Sequence, residues 1–446
     1  MEPADQPADA GTDGTRGDSA SIDDDTTSGE AAGGGAAGAH AAPAATHPLA
    51  RALVAAVGSR ILVFLVGFLA AEFIGVHGLP VGWRFPARAE VFTGWLGSLF
   101  NPWAHWDGVW YIKIATGGYA DADGSTAFFP LFPLLLRYVG LLLDGNLLIT
   151  SIVISLLCYA GCVWLLYRLV RRDFDESIAS KAVIYLAIGP LSFFLQAAYT
   201  ESLFLALSLA CFVFAREGRW RLAGVMGLLA TLTRSTGVLL LIPMAYYYYE
   251  RRGWNLKKTD SHVANLLMVF EGLLVWMTYL ALAFGKPFAF SAAQAQWERD
   301  LGAPNYTVAK GIGATVWGLR KMVSAEYYRM FWEVPRPGSD YSNLGTNTLN
   351  LLFLIAAALL LWYGARRLPG AYSWYALAAL AYPLFFPSKY VPLMSYPRFT
   401  LTVFPLYVAL ALYTRDRPRL HKVVVVGGVL LLIALTAKFA VFSWVA

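Results

Sequence analysis

Charge is what this sequence has least of. Only 14% of its 446 residues are Asp, Glu, Lys or Arg, against 57% hydrophobic residues and a mean hydropathy of +0.51. An ordinary soluble domain carries about 25% charge, so a water-facing surface over this length is excluded. Cysteine is nearly missing as well. Cys158, Cys162 and Cys211 all lie in apolar runs, which rules out a disulfide framework and reads as small buried thiols, although Cys158 and Cys162 stand at i, i+4. The six histidines show no metal-ligand spacing. No phosphate-cradling Gly-rich loop, Gly-x-Ser-x-Gly elbow or His-Glu-x-x-His element occurs. An internal repeat of the kind that builds a transporter's inverted halves is not evident either.

What is present is apolar length. Many runs approach the 20 or so residues that cross about 30 Å of hydrocarbon, and Trp, Tyr and Phe supply 15% of the chain, as interfacial belts and sugar-binding walls require. The expected fold is an all-α polytopic membrane protein. About 11 spans are predicted, near 53–75, 146–170, 180–197, 201–216, 219–233, 236–250, 262–284, 346–364, 371–386, 398–413 and 421–443. Residues 1–50 differ in kind. They are rich in Ala, Gly, Asp and Thr and hold nine acids and one arginine, a charge of −8, which leaves +14 on the remainder of a chain whose total is +6. Such a segment cannot bury enough surface to offset chain entropy, and its acidic start is unlike a signal peptide. The expected organisation is therefore a disordered acidic tail over 1–50 and a multi-pass domain over 51–446.

The basic remainder reads as a positive-inside signal rather than a nucleic-acid footprint, so no nucleic acid is expected as a partner. Five short loops carry the bases, around Arg168–Lys181, Arg216–Arg221, Arg251–Lys258, Arg366–Arg367 and Arg415–Lys422. All five share one side if the N-terminus is cytoplasmic and 127–143 is a re-entrant or surface helix. Two long outer segments then remain, 76–146 and 285–345, and a short one, 387–397. Long loops on a rigid scaffold are where chemistry is sought.

Asn101-Pro-Trp-Ala-His-Trp-Asp-Gly-Val-Trp-Tyr is the strongest local signal. It sets Asp107 among Trp103, Trp106, Trp110 and Tyr111, with His105 close by. Aromatic faces stack on sugars, and a neighbouring carboxylate can take a proton from an acceptor hydroxyl. An interfacial aromatic belt with Asp107 capping a helix from Gly108 explains the same residues. In Ala127-Phe-Phe-Pro-Leu-Phe-Pro, the two prolines hold Phe128 and Phe129 at a bend that either lines a cavity or only starts a helix. Asp121 and Asp123 form an acid-x-acid pair, a weak divalent-metal candidate beside the simpler reading of an exposed turn. Glu201, Arg234 and Arg398 lie beside or within apolar spans. There an ionisable group costs several kcal/mol unless paired or solvated. The arginines suit a lipid phosphate, while a Glu201–Arg234 pair could equally be a helix lock.

In this order the motifs resemble the PIG-V family of mannosyltransferases. The match is carried by His105-Trp-Asp-Gly-Val-Trp-Tyr with Gly118-Tyr119, Ala127-Phe-Phe-Pro-Leu-Phe-Pro, Ala198-Tyr-Thr-Glu-Ser-Leu-Phe204 and Thr233-Arg-Ser-Thr-Gly237. Pro397-Arg-Phe with Val403-Phe-Pro405 adds a weaker element. The likeness covers roughly 95–410. It implies a GT-C membrane bundle and an inverting transfer of mannose from a polyprenyl-phosphate carrier to a lipid or glycolipid acceptor, without a nucleotide-sugar site or other cofactor. The acceptor in eukaryotic members is a glycosylphosphatidylinositol precursor in the endoplasmic reticulum. A bacterial homologue, which the Ala/Gly/Asp tail favours, would work at the plasma membrane. The resemblance implies Asp107 as catalytic base. His105, Trp106, Trp110, Tyr111, Phe128, Phe129, Glu201, Arg234 and Arg398 are the expected substrate-binding set, and the family's Ser after Trp-Asp is Gly108 here. The expected partners are the donor, the acceptor and membrane lipids. The alternatives are a transporter or flippase for a lipid-linked sugar, and a non-catalytic scaffold subunit.

Overall fold

A computed structural model describes residues 47–75, 91–121, 123–323 and 344–445. The acidic segment 1–46 and parts of both long outer segments, 76–90 and 324–343, lie outside the described residues. The described helices belong to one compact unit, Thr46–Ala446. The first of them begins at Pro48, inside the stretch 1–50 expected as tail. Among the described residues the regular structure is helical, apart from one isolated bridge between Arg299 and Ser388.

In chain order the helices are α1 Pro48–Leu69, α2 Gly94–Phe100, α3 Asp107–Gly117, α4 Leu131–Gly140, α5 Leu147–Asp173, α6 Glu176–Ala187, α7 Glu201–Glu217, α8 Trp220–Thr233 and α9 Leu241–Glu250. They continue as α10 Ala264–Phe284, α11 Ala289–Ala292, α12 Pro304–Met322, α13 Leu344–Gly364, α14 Gly370–Ala381, α15 Tyr396–Leu401, α16 Pro405–Tyr413 and α17 Pro418–Ala440. Among the described residues five segments are long and apolar enough to cross a membrane unaided: Pro48–Ile74, Leu147–Asp173, Ser261–Phe284, Gly345–Gly364 and Pro418–Ala440. The chain is thus an all-α polytopic membrane protein.

Of the other expected spans, 201–216 is the unbroken α7, and several of the rest are shorter or broken for local reasons. The predicted span 180–197 stops at Ala187, because Gly189-Pro190 cannot continue a helix. Arg60, buried in α1, captures the carbonyls that this break frees. Its Nη1 donates to Ser192 O at 2.6 Å, and its Nη2 donates to Ala187 O at 3.2 Å and Ser192 Oγ at 2.8 Å. The predicted span 398–413 is two helices, α15 and α16, interrupted before Pro405. Residues 127–143 yield only α4 and one 3-10 turn. Ten helical residues rise about 15 Å, half a hydrocarbon core. The outer segment 285–345, expected as loop, contains α12, which opens on Pro304 at its first position, where a missing N–H is harmless.

All five basic loops come to one end of the bundle and are stitched together there. Arg168 Nη2 donates to Glu217 Oε1 at 2.6 Å, Arg216 Nε to Asp173 Oδ1 at 3.2 Å and Arg251 Nη2 to Arg216 O at 2.6 Å. Tyr372 donates to Asp173 Oδ2 at 2.7 Å, and Lys181 Nζ to Thr414 O at 3.0 Å. Glu201 at the start of α7 and Arg234 at the end of α8 lie at the opposite end.

Candidate active site

The residues at that opposite end are placed by interruptions in helices. Residues 198–200 precede α7 and are tied to the segment before α3. Ala198 N donates to Trp103 O at 2.8 Å and Tyr199 Oη to His105 O at 3.0 Å. This pairing sets the first residue of α3, Asp107, beside the first residue of α7, Glu201. Arg234 sits in extended backbone between α8 and a 3-10 turn over Ser235–Leu240. Gly237 lets that turn fold back on α8, since a Cβ there would come within 2.5 Å of the backbone of Ala230 and Thr231. Arg398 is carried by α15, and Ser395 just before that helix is left-handed at φ 63°.

Four of these side chains form one chain of charge. Arg398 Nη1 lies 2.6 Å from Asp107 Oδ2 and Arg398 Nε 2.5 Å from Glu201 Oε1, while Arg234 Nη1 donates to the same Glu201 oxygen at 2.8 Å. Glu201 is wholly buried, and the Asp107 side chain keeps 18% of its surface exposed. The helix-capping reading of Asp107 is thereby answered. It makes no capping hydrogen bond from the first turn of α3; the residue before that helix is Trp106, and the carboxylate reaches Arg398 instead. Trp106 adopts φ 54°, a left-handed backbone that costs about 1–3 kcal/mol in a bulky residue. Its indole is stacked on Phe442 at 4.4 Å and edge-on to Trp444 at 4.9 Å. Strained backbone therefore precedes both Asp107 and Arg398.

A cavity of about 310 Å³ opens between these elements, at the lower end of the range for small-molecule sites. Asp107, Tyr111, Phe128, Phe129, Arg234 and Arg398 line it. The two readings of the Phe-Phe-Pro-Leu-Phe-Pro element are both realised: Pro130 caps α4, and the two preceding rings face the cavity. Glu201 stands behind the wall. Trp110 lies outside the lining and stacks on Phe128 at 5.6 Å. Trp106 also lies outside it. His105 is buried and turned away. Its Nδ1 is 3.1 Å from Phe439 O, and burial pushes the imidazole down to about 4, a shift that the Phe439 bond only partly opposes. Asp121 and Asp123 are each held by a lysine, at 2.7 Å from Lys286 and 2.8 Å from Lys113. Burial raises the Asp123 carboxyl, but hydrogen bonds from Lys113 and Ser125 outweigh it and leave it below the usual carboxylate range. Among the described residues no three His, Cys, Asp or Glu side chains form a metal-binding group.

One lining residue, Arg299, was not expected. In the sequence it stands between Glu298 and Asp300 and reads as a solvated loop cation. The backbone of 298–302 pairs with 385–389, with Lys389 N donating to Glu298 O at 3.0 Å and Gly302 N to Phe385 O at 2.8 Å, and this turns Arg299 inward. Its Nη2 donates to Met394 O at 3.1 Å. Burial, reinforced by the nearby Arg398 cation, lowers its guanidinium to about 10, which still leaves it charged near neutrality. Arg234, Arg299 and Arg398 against Asp107 and Glu201 give the site one excess positive charge.

Fold and site together define a polytopic α-helical membrane protein with a cationic, aromatic-walled cavity at one end of its bundle. The sequence matches the family described as Mannosyltransferase (PIG-V) over residues 52–295, more than half of the chain, and the protein belongs to that family. It is similar to GPI mannosyltransferase 2 of Drosophila melanogaster, 26% identical over 211 residues, covering 43% of this chain and 46% of that one. It is also similar to GPI mannosyltransferase 2 of Schizosaccharomyces pombe, 28% identical over 160 residues, covering 35% and 33%. The match thus spans less than half the length of these relatives. A crystal structure of the Archaeoglobus fulgidus oligosaccharyltransferase aligns with 87% of this chain and 53% of its own at a TM-score of 0.41 and 14% identity.

Proposed function

We propose that this protein is an inverting mannosyltransferase that moves mannose from a polyprenyl-phosphate carrier to a lipid or glycolipid acceptor. The single observation that carries this reading is the Asp107–Arg398–Glu201–Arg234 cluster at the wall of an aromatic-lined cavity. Family membership and the names of the relatives supply the sugar and the class of acceptor. Asp107 takes the proton of an acceptor hydroxyl as that oxygen bonds to the anomeric carbon and the carbon–phosphate oxygen bond breaks. Negative charge then grows on the departing phosphate, where the excess cation of the site stabilises it. Arg234 and Arg398 are engaged by Glu201, so Arg299, which has no carboxylate within salt-bridge distance among the described residues, is the freest of the three to meet phosphate. Phe128 and Phe129 stack on the sugar. The mechanism asks nothing of a metal, Asp121 and Asp123 being occupied by lysines.

The arginine-rich end is the cytoplasmic one by the positive-inside rule. On this reading the N-terminus of α1 is inside and the cavity opens on the outer face of the membrane, which is the lumenal face if the membrane is that of the endoplasmic reticulum. Incubating the purified protein with radiolabelled polyprenyl-phosphate-mannose and host membrane lipids tests the reading. Label moving from the carrier to a second lipid supports it. Label that stays on the carrier but crosses a sealed vesicle wall supports a flippase instead.

A further inference from the structure

Helices α1 and α5 both pack against α6 and meet through Tyr159 of α5, whose hydroxyl donates to Ala56 O at 3.3 Å and whose ring lies under Arg60. Between them lies a groove of about 1080 Å³, larger than the cavity of the candidate active site. Ala52, Ala56 and Phe64 of α1 form one wall, Ala160 and Val163 of α5 the other, and Val183 of α6 closes the floor. Its α1 wall runs from Leu49 to Phe64, a rise of about 22 Å. That length suits an extended acyl chain.

The groove's opening at the arginine-rich end is charged. Arg168, Arg171 and Arg172 stand there with a single lining carboxylate, Glu217. That carboxylate is already shared, at 2.6 Å from Arg168, 3.9 Å from Arg172 and 3.8 Å from Arg219. The nearby Glu176 is occupied by Tyr167 Oη at 2.6 Å. Arg168 also lies over the exposed Trp164 ring at 5.3 Å, an aromatic and cation pairing typical of headgroup depth.

We infer that this groove is a binding site for an anionic phospholipid, with one acyl chain between α1 and α5 and the headgroup phosphate on Arg168, Arg171 and Arg172. An excess of guanidinium groups at the mouth of an apolar slot selects a phosphate that carries net negative charge over a zwitterionic headgroup. The occupant is not the sugar donor. Helix α7 carries Glu217 at the groove mouth and Glu201 at the cavity, about 24 Å apart along the helix. A phosphate on these arginines therefore cannot present its sugar to Asp107. The site is independent of the proposed transfer reaction.

The test is native mass spectrometry of the full-length protein released from vesicles of equal phosphatidylglycerol and phosphatidylcholine. The expected result is one tightly retained phosphatidylglycerol per protein, favoured about tenfold over phosphatidylcholine. Arg168→Gln/Arg171→Gln/Arg172→Gln should abolish the preference. Ala160→Trp, which fills the slot with all arginines in place, should abolish retention of either lipid. If the triple variant does not fold, raising salt on the wild type should erode the preference in its stead, since phosphate contacts at an exposed mouth are screened. Equal retention of the two lipids by the wild type overturns the proposal. So does a preference that survives both Ala160→Trp and high salt, or occupation of the groove by a protein segment.

Discussion

Arg398 Nη1 stands 2.6 Å from Asp107 Oδ2 while its Nε bonds Glu201, so one guanidinium spans the carboxylates that open two different helices. Only a planar fork with several donors does this. The base proposed for catalysis is consequently aimed by a residue from the far end of the chain, and the three groups act as a unit.

Breaking that unit has two separable effects. Glu201→Gln leaves Arg234 and Arg398 buried without their shared anion, at a cost of about 3–5 kcal/mol, and should lower the thermal midpoint in detergent markedly. Arg398→Lys keeps the charge but offers a single nitrogen to two carboxylates. It should fold with a smaller loss of stability and lose transferase rate by roughly a hundredfold. Full rate in Arg398→Lys would show that the bridging geometry is incidental.

Arg299 should act on the donor rather than on the chemistry of the acceptor. A hydrogen bond to a charged group is worth about 1.5–3 kcal/mol. Arg299→Ala is therefore expected to raise the KM for the polyprenyl-phosphate donor by roughly tenfold or more, with Arg299→Lys intermediate. Steady-state kinetics with the acceptor saturating provides the measurement, and an unchanged donor KM removes Arg299 from the site.

His105 gives the protein a pH dependence of known sign. Its imidazole is held near 4 when folded and lies near 6.5 when unfolded. Between those values the unfolded chain binds a proton that the native state does not. The stability is fully present above about pH 6.5 and falls as pH drops toward 4, by roughly 3 kcal/mol for this group. The thermal midpoint should track that fall in the wild type and vary less with pH in His105→Asn.

Chelation should do nothing. Asp121 and Asp123 are engaged by Lys286 and Lys113, so transfer measured with excess EDTA is expected to stay within about twofold of the untreated rate. Asp121→Asn and Asp123→Asn should do the same. Loss of activity on chelation, restored by a divalent ion, would contradict this.

The helical class and the grouping of the basic loops at one end were legible in the sequence because hydropathy and Lys/Arg placement act locally. Glu201, Arg234 and Arg398 stood out in the sequence as ionisable groups beside hydrocarbon, and Asp107 as a carboxylate among aromatic side chains. Their arrangement was not. The sequence left Glu201 as a possible lock with Arg234, and the structure shows that lock extended through Arg398 to Asp107. Arg299 was hidden by its charged neighbours, because only the pairing of 298–302 with 385–389 turns it inward. His105 sits in the same motif as Asp107, yet the left-handed turn at Trp106 sends the two side chains different ways. Arg60 was missed because its partners are carbonyls exposed by a helix break at Gly189-Pro190, which a span prediction runs through.

The most direct test of the account is a paired measurement on Asp107→Asn: equilibrium binding of polyprenyl-phosphate-mannose, and mannose transfer in a single turnover. The variant keeps the shape of the site and an oxygen that can accept from Arg398, but loses the carboxylate charge that takes the proton. The account predicts donor affinity within about threefold of wild type and transfer slowed by roughly a thousandfold. Transfer at the wild-type rate by a folded, donor-binding Asp107→Asn protein would contradict it.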